Sequence, residues 1–277
     1  MSAHIITPGG RARFGRYLRL EERSPGTVEN YLRAVESFER FLGGAAVTRE
    51  RTMAWKEALV AGGLRPATVN AKLAAVNAFC VFSGWPECRV KALRLQRQVF
   101  RDESRQLTRR EYERLLSCAG GRLSLLMQAV CATGIRVSEV RYLTVEAARR
   151  GRADIALKGK LRTILLPRLL CRKLLRYAGE KKIAFGAIFR TGGGRDLSRK
   201  QIWAEMKALA ERAGVPPSKV FPHNLRHLFA RAFYQACGDL VQLADVLGHS
   251  SVETTRLYLC STGAEHARRL EKLHLLL

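Results

Sequence analysis

Long apolar runs are missing from this sequence. No stretch approaches the roughly 20 consecutive apolar residues that a membrane span requires, so no membrane partner is expected. The opening MSAHIITPGGRARFGRYL also lacks the apolar core of a secretion signal, and a cytoplasmic location is the expectation. Acidic residues are scarce: 24 Asp plus Glu stand against 49 Lys plus Arg, a net charge of +25 and a pI near 10.7. An excess of that size favours polyanionic partners, and without a membrane anchor nucleic acid leads. The seven cysteines are odd in number and scattered, with no C-x-x-C pair. That excludes a disulfide framework and a zinc ribbon, and most of them read as small core residues in a reducing compartment. There is no H-E-x-x-H, no D-x-D and no G-x-x-x-x-G-K-[ST]. Neither a metal site nor a nucleotide site of those kinds is expected.

What is present is enough for a fold. Apolar residues make up 47% of 277, which supports a sizeable core and one to two domains. Residues 1–106 hold 18 Lys/Arg and 10 Asp/Glu, and residues 107–277 hold 31 and 14. The excess is therefore no basic tail, and both halves can face a phosphate backbone.

The first half reads as four helices. Ser24-Pro25 starts one with an N-cap and a proline at the first turn. Val28, Tyr31, Leu32, Val35, Phe38, Phe41 and Leu42 recur at helical spacing up to Gly43-Gly44. Further helices are predicted over Thr48–Ala61, from Pro66 to about Gly84, and over Arg11–Leu20. Residues 84–106 lose the periodicity and carry Arg89, Lys91, Arg94, Arg97, Arg101 and Arg105. They are either a solvated connector or a basic strap along phosphates, with Arg94 and Arg97 as DNA contacts. The expected organisation is a helical domain over 1–90, a basic linker over 91–106 and a second domain over 107–277.

In the second half, Thr108 with Glu111 forms a capping box, and Leu107 is placed for a hydrophobic staple. Leu123–Ala132 is apolar and helical. Thr133-Gly134 interrupts it, and Ile135–Val140 restarts a helix. Ala153–Pro167 alternates around Lys158-Gly159-Lys160, which predicts a β-hairpin with a basic tip. A helix follows from Pro167 to about Ala178, and Ser198 with Gln201 caps another that Gly214 ends. Three helices then follow from His223, broken at Gly238-Asp239 and Gly248–Ser250. An amphipathic segment, Ala264–Leu277, closes the chain.

Phosphoryl transfer without a metal needs cations over the non-bridging oxygens, a nucleophile and a proton donor for the leaving oxygen. Arginine's planar fork meets two phosphate oxygens and stays charged. Tyrosine can form a covalent phosphodiester that conserves bond energy for religation. The segments TGIRVSEV (133–140), KGKLRTILLP (158–167), PHNLRHLFA (222–230) and LGHSSVETTRLY (247–258) resemble the signature boxes of the tyrosine recombinase/integrase family. Four boxes in order make the signal specific, and its Xer-like phage and transposon members are the nearest in pattern.

The resemblance implies a mainly α protein with a small β-hairpin. An N-terminal SAM-like helical core-binding domain would precede a C-terminal mixed α/β catalytic domain. It implies a site-specific DNA recombinase that works without metal, ATP or other cofactor. The partners would be double-stranded recombination sites and further copies of the chain, two on a site and four at synapsis. By position in the boxes, Tyr258 matches the nucleophile, while Arg136, His223, Arg226 and His249 match the phosphate clamp and its histidines. Glu139 matches the acidic orienting position. Lys158 is favoured over Lys160 as general acid, because the hairpin reads K-G-K-x-R, shorter than the usual G-K-G-x-K-x-R. Lys160 and Arg162 are then DNA contacts. His223 and His227, four residues apart, lack the third ligand and glutamate of a zinc site; His227 is expected to pack. Asp239–Tyr258 also resembles a helix-turn-helix, which leaves a non-enzymatic DNA-binding regulator as one alternative and a type IB topoisomerase-like activity as another. The closing segment often packs into a neighbouring protomer in the resembling family.

Overall fold

The computed structural model describes residues 4–95, 103–157, 160–249, 251–259 and 271. The chain divides into two compact units, residues 1–97 and 98–277. Lys158, Arg97, Ser250 and the segment Ala264–Leu277 lie outside the described residues, apart from Glu271. No described helix is long and apolar enough to cross a membrane.

The first unit is a four-helix bundle: α1 (Pro8–Leu20), α2 (Pro25–Leu42), α3 (Arg49–Ala61) and α4 (Pro66–Phe82). Ser24 and Thr48 cap α2 and α3, each accepting a backbone N–H three residues on. The first helix starts earlier than the periodicity predicts, because the Thr7 hydroxyl accepts from Gly10 N–H and Pro8 occupies the first turn. Phe14, Phe38, Trp55, Val69, Leu73 and Phe79 fill the core. Phe14 meets Phe79 edge-on, with centroids 5.3 Å apart. Residues 89–95 do not leave the bundle at once. Asn77 exchanges hydrogen bonds with the Val90 backbone, and Asn70 does the same with Leu93.

The second unit begins with α5 (Arg109–Cys118) behind the Thr108–Glu111 capping box. Then come α6 (Gly121–Thr133), a tight 3-10 turn over Val137–Tyr142 and the short α7 (Val145–Arg150). The predicted helix restart is this 3-10 turn, and the Glu139 carboxylate bonds back to the Arg136 N–H at its start. The α7 helix was not expected from sequence. The hairpin is as predicted: β1 (Arg152–Leu157) pairs antiparallel with β2 (Lys160–Leu165), Ile155 facing Arg162. Next are α8 (Arg168–Glu180), α9 (Arg199–Arg212) behind its Ser198–Gln201 box, α10 (Pro222–Cys237), α11 (Leu240–Leu247) and α12 (Val252–Leu259). One large core joins α5–α10 and the hairpin. A small separate one (Ala230, Leu243, Leu247, Tyr258) holds α11 and α12 on α10.

The cysteine reading needs correcting at two positions. Cys80, Cys88 and Cys171 are buried, but Cys118 and Cys237 are exposed, each at the end of a helix.

Gly134 tests how tightly the second unit is packed. Its φ is +64°, and an added Cβ would stand 2.5 Å from the Phe229 ring and 3.0 Å from Leu247. Gly43 has a similar φ of +57° with open space around it. Gly43→Ala is expected to cost only the left-handed backbone penalty, roughly 1–2 kcal/mol. Gly134→Ala adds overpacking of roughly 1–3 kcal/mol. Urea unfolding of both variants checks the ordering; equal losses would refute the close approach at Gly134.

Candidate active site

Two helix ends build the site. α6 stops at Gly134 and α11 at Gly248, both left-handed, with φ of +64° and +62°. Such stops leave C-terminal carbonyls without helical partners, and the helix dipole makes those ends attractive to cations. Arginines take them. Arg226 on α10 donates through Nη1 to the Gly134 carbonyl and through Nη2 to the Leu247 carbonyl at 2.7 Å. Arg136 donates through Nη2 to the Gly248 carbonyl at 3.2 Å.

Glu139 orients the rest. It is 2% exposed. Its Oε1 accepts from Arg136 Nη1 at 3.0 Å, and its Oε2 accepts from the Arg136 N–H at 2.9 Å and from Arg162 Nη2 at 2.5 Å. One carboxylate thus fixes two guanidiniums. Arg162 was expected to contact DNA, yet its guanidinium is committed to Glu139 and lies against Gly248. A Cβ there would stand 2.6 Å from Arg162 Cδ and Nη1. Gly248 is needed for that approach as well as for its φ. The strand pattern carried this signal: Arg162 alternates with buried Ile164 and Leu166, while Leu161 and Leu165 point to solvent.

Arg226 is 1% exposed, and its hydrogen bonds include those to two carbonyls and one imidazole, with Tyr258 as a further side-chain partner and no carboxylate among them. Its Nε is buried without a partner. Burial pushes its pKa down to about 10, with Arg136 acting the same way and Tyr258 opposing. Its Nη2 lies 3.0 Å from His249 Nε2. Burial, then Arg226, Arg136, Arg162 and His223, push His249 down to about 4. The ring is therefore neutral at pH 7. A guanidinium only donates, so Nε2 is the acceptor and Nδ1 carries the proton. Nδ1 lies 2.8 Å from the hydroxyl of Thr255, which is fully buried on α12. Sequence reasoning missed Thr255, which has no distinguishing local pattern.

Tyr258 lies one turn beyond Thr255 and is 6% exposed. Its ring centroid is 4.2 Å from His227, 5.1 Å from His249 and 5.3 Å from His223. The Arg226 guanidinium carbon is 5.9 Å from the same centroid. A cavity of about 220 Å³ opens here, with Arg136, Arg199, His223, Arg226 and Tyr258 in its wall. Arg199, in the first turn of α9, is a second residue sequence reasoning did not single out. His227 packs, as expected, between His223 and Tyr258. Of the basic residues predicted to touch DNA, Lys160 opens β2, and Arg94 is exposed in the first unit.

Among the described residues one group has metal-ligating chemistry, His4, Glu87 and Cys88 in the first unit. His4 Nε2 and Glu87 already form a hydrogen bond of 2.9 Å, and the His4 ring stacks on Trp85, so the group reads as a tether for the N-terminal arm.

Residues 105–265 match the phage integrase family, and residues 12–85 match the phage integrase N-terminal SAM-like domain. The chain is 27% identical to the tyrosine recombinase XerA of Pyrococcus furiosus over 274 residues, 95% of this chain and 93% of the relative. It is 30% identical to the tyrosine recombinase XerD of Caulobacter vibrioides over 251 residues, 81% of each. Its fold is similar to that of a lambda integrase dimer bound to a COC′ core site, with a TM-score of 0.73 at 17% identity, covering 91% of this chain and 94% of that one.

The depressed His249 ties stability to pH. An unfolded chain takes up this proton near 6.5, the folded chain only near 4. Stability from the neutral ring is complete above pH 6.5 and is lost as pH falls toward 4, because the unfolded state binds the proton first. The urea midpoint of the native protein should fall further over that window than that of His249→Asn. Parallel curves for the two proteins would contradict the buried neutral ring.

Proposed function

The chain belongs to the phage integrase family and is a tyrosine-type site-specific recombinase, and from that premise we propose that Tyr258 is its nucleophile within a clamp of Arg136, Arg226 and His249. The observation that carries this reading is the convergence of Arg136, Arg226 and Tyr258 on one small cavity, with His249 bonded to Arg226 and beside the Tyr258 ring. The regulator alternative is not favoured, since DNA binding alone gives no reason to bury a tyrosine beside two guanidiniums and three histidines. A topoisomerase-like reading has no observation of its own in its favour.

In this mechanism the Tyr258 oxygen attacks the scissile phosphorus, and the bond to the 5′ oxygen breaks. The products are a 3′-phosphotyrosyl link and a free 5′-hydroxyl. Arg136, Arg226 and His249 stabilise the charge that grows on the non-bridging oxygens. Lys158 gives the departing 5′ oxygen its proton, and His223 assists proton transfer from Tyr258. The 5′-hydroxyl of a partner strand then attacks the phosphotyrosine and releases Tyr258. One such exchange makes a Holliday junction, and a second resolves it. Glu139, with Arg162 on its second side, keeps Arg136 pointed at the phosphate. The clamp supplies cationic charge from side chains, so no step is routed through a metal or nucleotide.

On the DNA, residues 1–90 would serve as the core-binding domain and residues 107–277 as the catalytic domain, with 91–106 as a basic linker contributing Arg94 and Arg97. Lys160 adds a phosphate contact at the hairpin. Two copies would occupy inverted half-sites and four would meet at synapsis, with the cytoplasm as the proposed location.

A duplex recovered by in vitro selection on this protein, nicked so that cleavage becomes irreversible, provides the test. The native chain should form a covalent adduct that survives denaturant. Tyr258→Phe should lose the adduct and keep duplex binding; an adduct formed by the Phe variant would remove Tyr258 from the role. Lys158→Ala should slow cleavage by roughly 10²–10⁴-fold, as for a lost general acid. A 5′-thio leaving group, which needs no proton, should restore the rate. Lys160→Ala should chiefly weaken binding and flatten its salt dependence. Thio rescue of Lys160→Ala instead would transfer the acid role to Lys160.

A further inference from the structure

We infer that Thr255 is the positioning residue of His249. Its hydroxyl lets the imidazole change from acceptor of an Arg226 hydrogen bond in the empty site to donor toward a phosphate oxygen in the occupied one. The inference rests on the reading of His249 as a phosphate ligand.

The two faces of the ring have different partners. Nε2 meets Arg226 Nη2 at 3.0 Å, and Nδ1 meets Thr255 Oγ1 at 2.8 Å. In the empty site Arg226 can only donate, so the ring proton sits on Nδ1 and the threonine oxygen accepts it. A phosphodiester oxygen held by Arg136 and Arg226 has no proton to offer. His249 can bond to it only through an N–H at Nε2. In the empty site a doubly protonated ring is opposed by burial and by the three guanidiniums of Arg226, Arg136 and Arg162, with His223 adding to them, and we take the ring to stay neutral when the phosphate enters. The neutral ring must then carry its proton on Nε2, and its Nδ1 lone pair needs a donor. The threonine O–H, turned about its Cβ–Oγ bond, is that donor. The ring's proton count does not change: one proton leaves Nδ1 and one arrives at Nε2, both exchanged with water.

Few side chains meet both demands. A carboxylate or carbonyl in this place would hold the proton on Nδ1, and a methyl group would satisfy neither state. A hydroxyl serves both. Its position on α12 adds a consequence. Thr255 and Tyr258 are three residues apart on the same buried helix face. Docking that helix delivers the nucleophile and completes the histidine in one event, while withdrawing it strips His249 of its Nδ1 partner. The clamp's third donor is thus in place only when the nucleophile is.

The test combines a spectroscopic and a kinetic arm on the full chain. With ¹⁵N-labelled histidine, and His249 assigned by loss of its signals in His249→Asn, the free protein should show the Nδ1-protonated neutral ring. In the Tyr258→Phe complex with the selected duplex the proton should move to Nε2. In the nicked-duplex assay Thr255→Ser should keep adduct formation within about threefold of native. Thr255→Val should slow it about tenfold, the worth of one buried hydrogen bond of roughly 1.4 kcal/mol. In a His249→Phe background the same valine substitution should have no further effect. An equal slowing in both backgrounds would reduce Thr255 to a packing residue, as would failure of the serine variant to rescue. An Nδ1-protonated or doubly protonated ring in the DNA complex would overturn the tautomer change itself. A native protein that forms no Tyr258-dependent adduct would count against the recombinase mechanism instead, leaving the free-protein spectrum to report on the Thr255 contact.

Discussion

A guanidinium 1% exposed, with no carboxylate among its hydrogen bonds, is the constraint on which the catalytic unit is organised. Moving an ion of this size out of water carries an effective penalty of several kcal/mol, which a well-placed counter-charge normally offsets. Arg226 has instead two helix-end carbonyls and an imidazole, with its Nε left unpartnered. Nearby, Arg136 and Arg162 share the single carboxylate of Glu139. Three cations and one anion leave the empty site with an unmet demand for negative charge. A phosphate meets it, and additional charge developing on that phosphate meets it better. That is what a site complementary to a transition state requires. The imbalance also explains why His249 stays neutral: a fourth cation has no place there.

Bringing the cations so close depends on what is missing at two positions. Gly134 lets the Phe229 ring and Leu247 pack over the end of α6, and Gly248 lets Arg162 lie across the end of α11. A side chain at either place would push apart the helix ends whose carbonyls hold Arg226 and Arg136. The short motifs Thr133-Gly134-Ile135-Arg136 and Leu247-Gly248-His249 therefore have a mechanical reading. In each, the glycine stops a helix in the left-handed region, and the freed carbonyl there points at an arginine.

Much of this was legible in the sequence wherever the cause is local. Ser24, Thr108 and Ser198 cap the helices they were read to cap, since capping depends on residues three apart. The hairpin followed from alternation. The failures arose where a longer-range or side-chain effect overrode the local pattern. Val137–Tyr142 forms a 3-10 turn in place of the expected helix, with Glu139 bonded back to Arg136 at its start and across to Arg162 on the hairpin. Cys118 and Cys237 have apolar neighbours in sequence, yet they stand at helix ends that face solvent. The site itself was legible only through the resemblance of four boxes. No periodicity says that positions 136, 226, 249 and 258 converge. Thr255 was beyond reach, because its importance lies in a ring nitrogen six residues before it.

The separate small core under α11 and α12 gives this arrangement its dynamics. The large core of the catalytic unit joins α5–α10 and the hairpin and does not draw on Tyr258. Leu243, Leu247 and Tyr258 instead bury against Ala230 of α10, with Phe229, Phe233 and Leu259 around them. Segments held by few buried contacts open at lower free energy than the main core, so the helix pair is expected to open before the rest. The pair supplies Tyr258, the proposed nucleophile, together with His249, its Thr255 partner, and the Leu247 and Gly248 carbonyls that accept from the arginines. Glu139, Arg162 and the Gly134 carbonyl remain on the rigid side. Opening the pair would leave Arg136 still oriented and Arg226 half-satisfied, a clamp able to hold a phosphate but not to cleave it. On the proposed roles, binding and cutting would be divided between the large core and the α11–α12 pair, with the division at the left-handed turns that end α6 and α11.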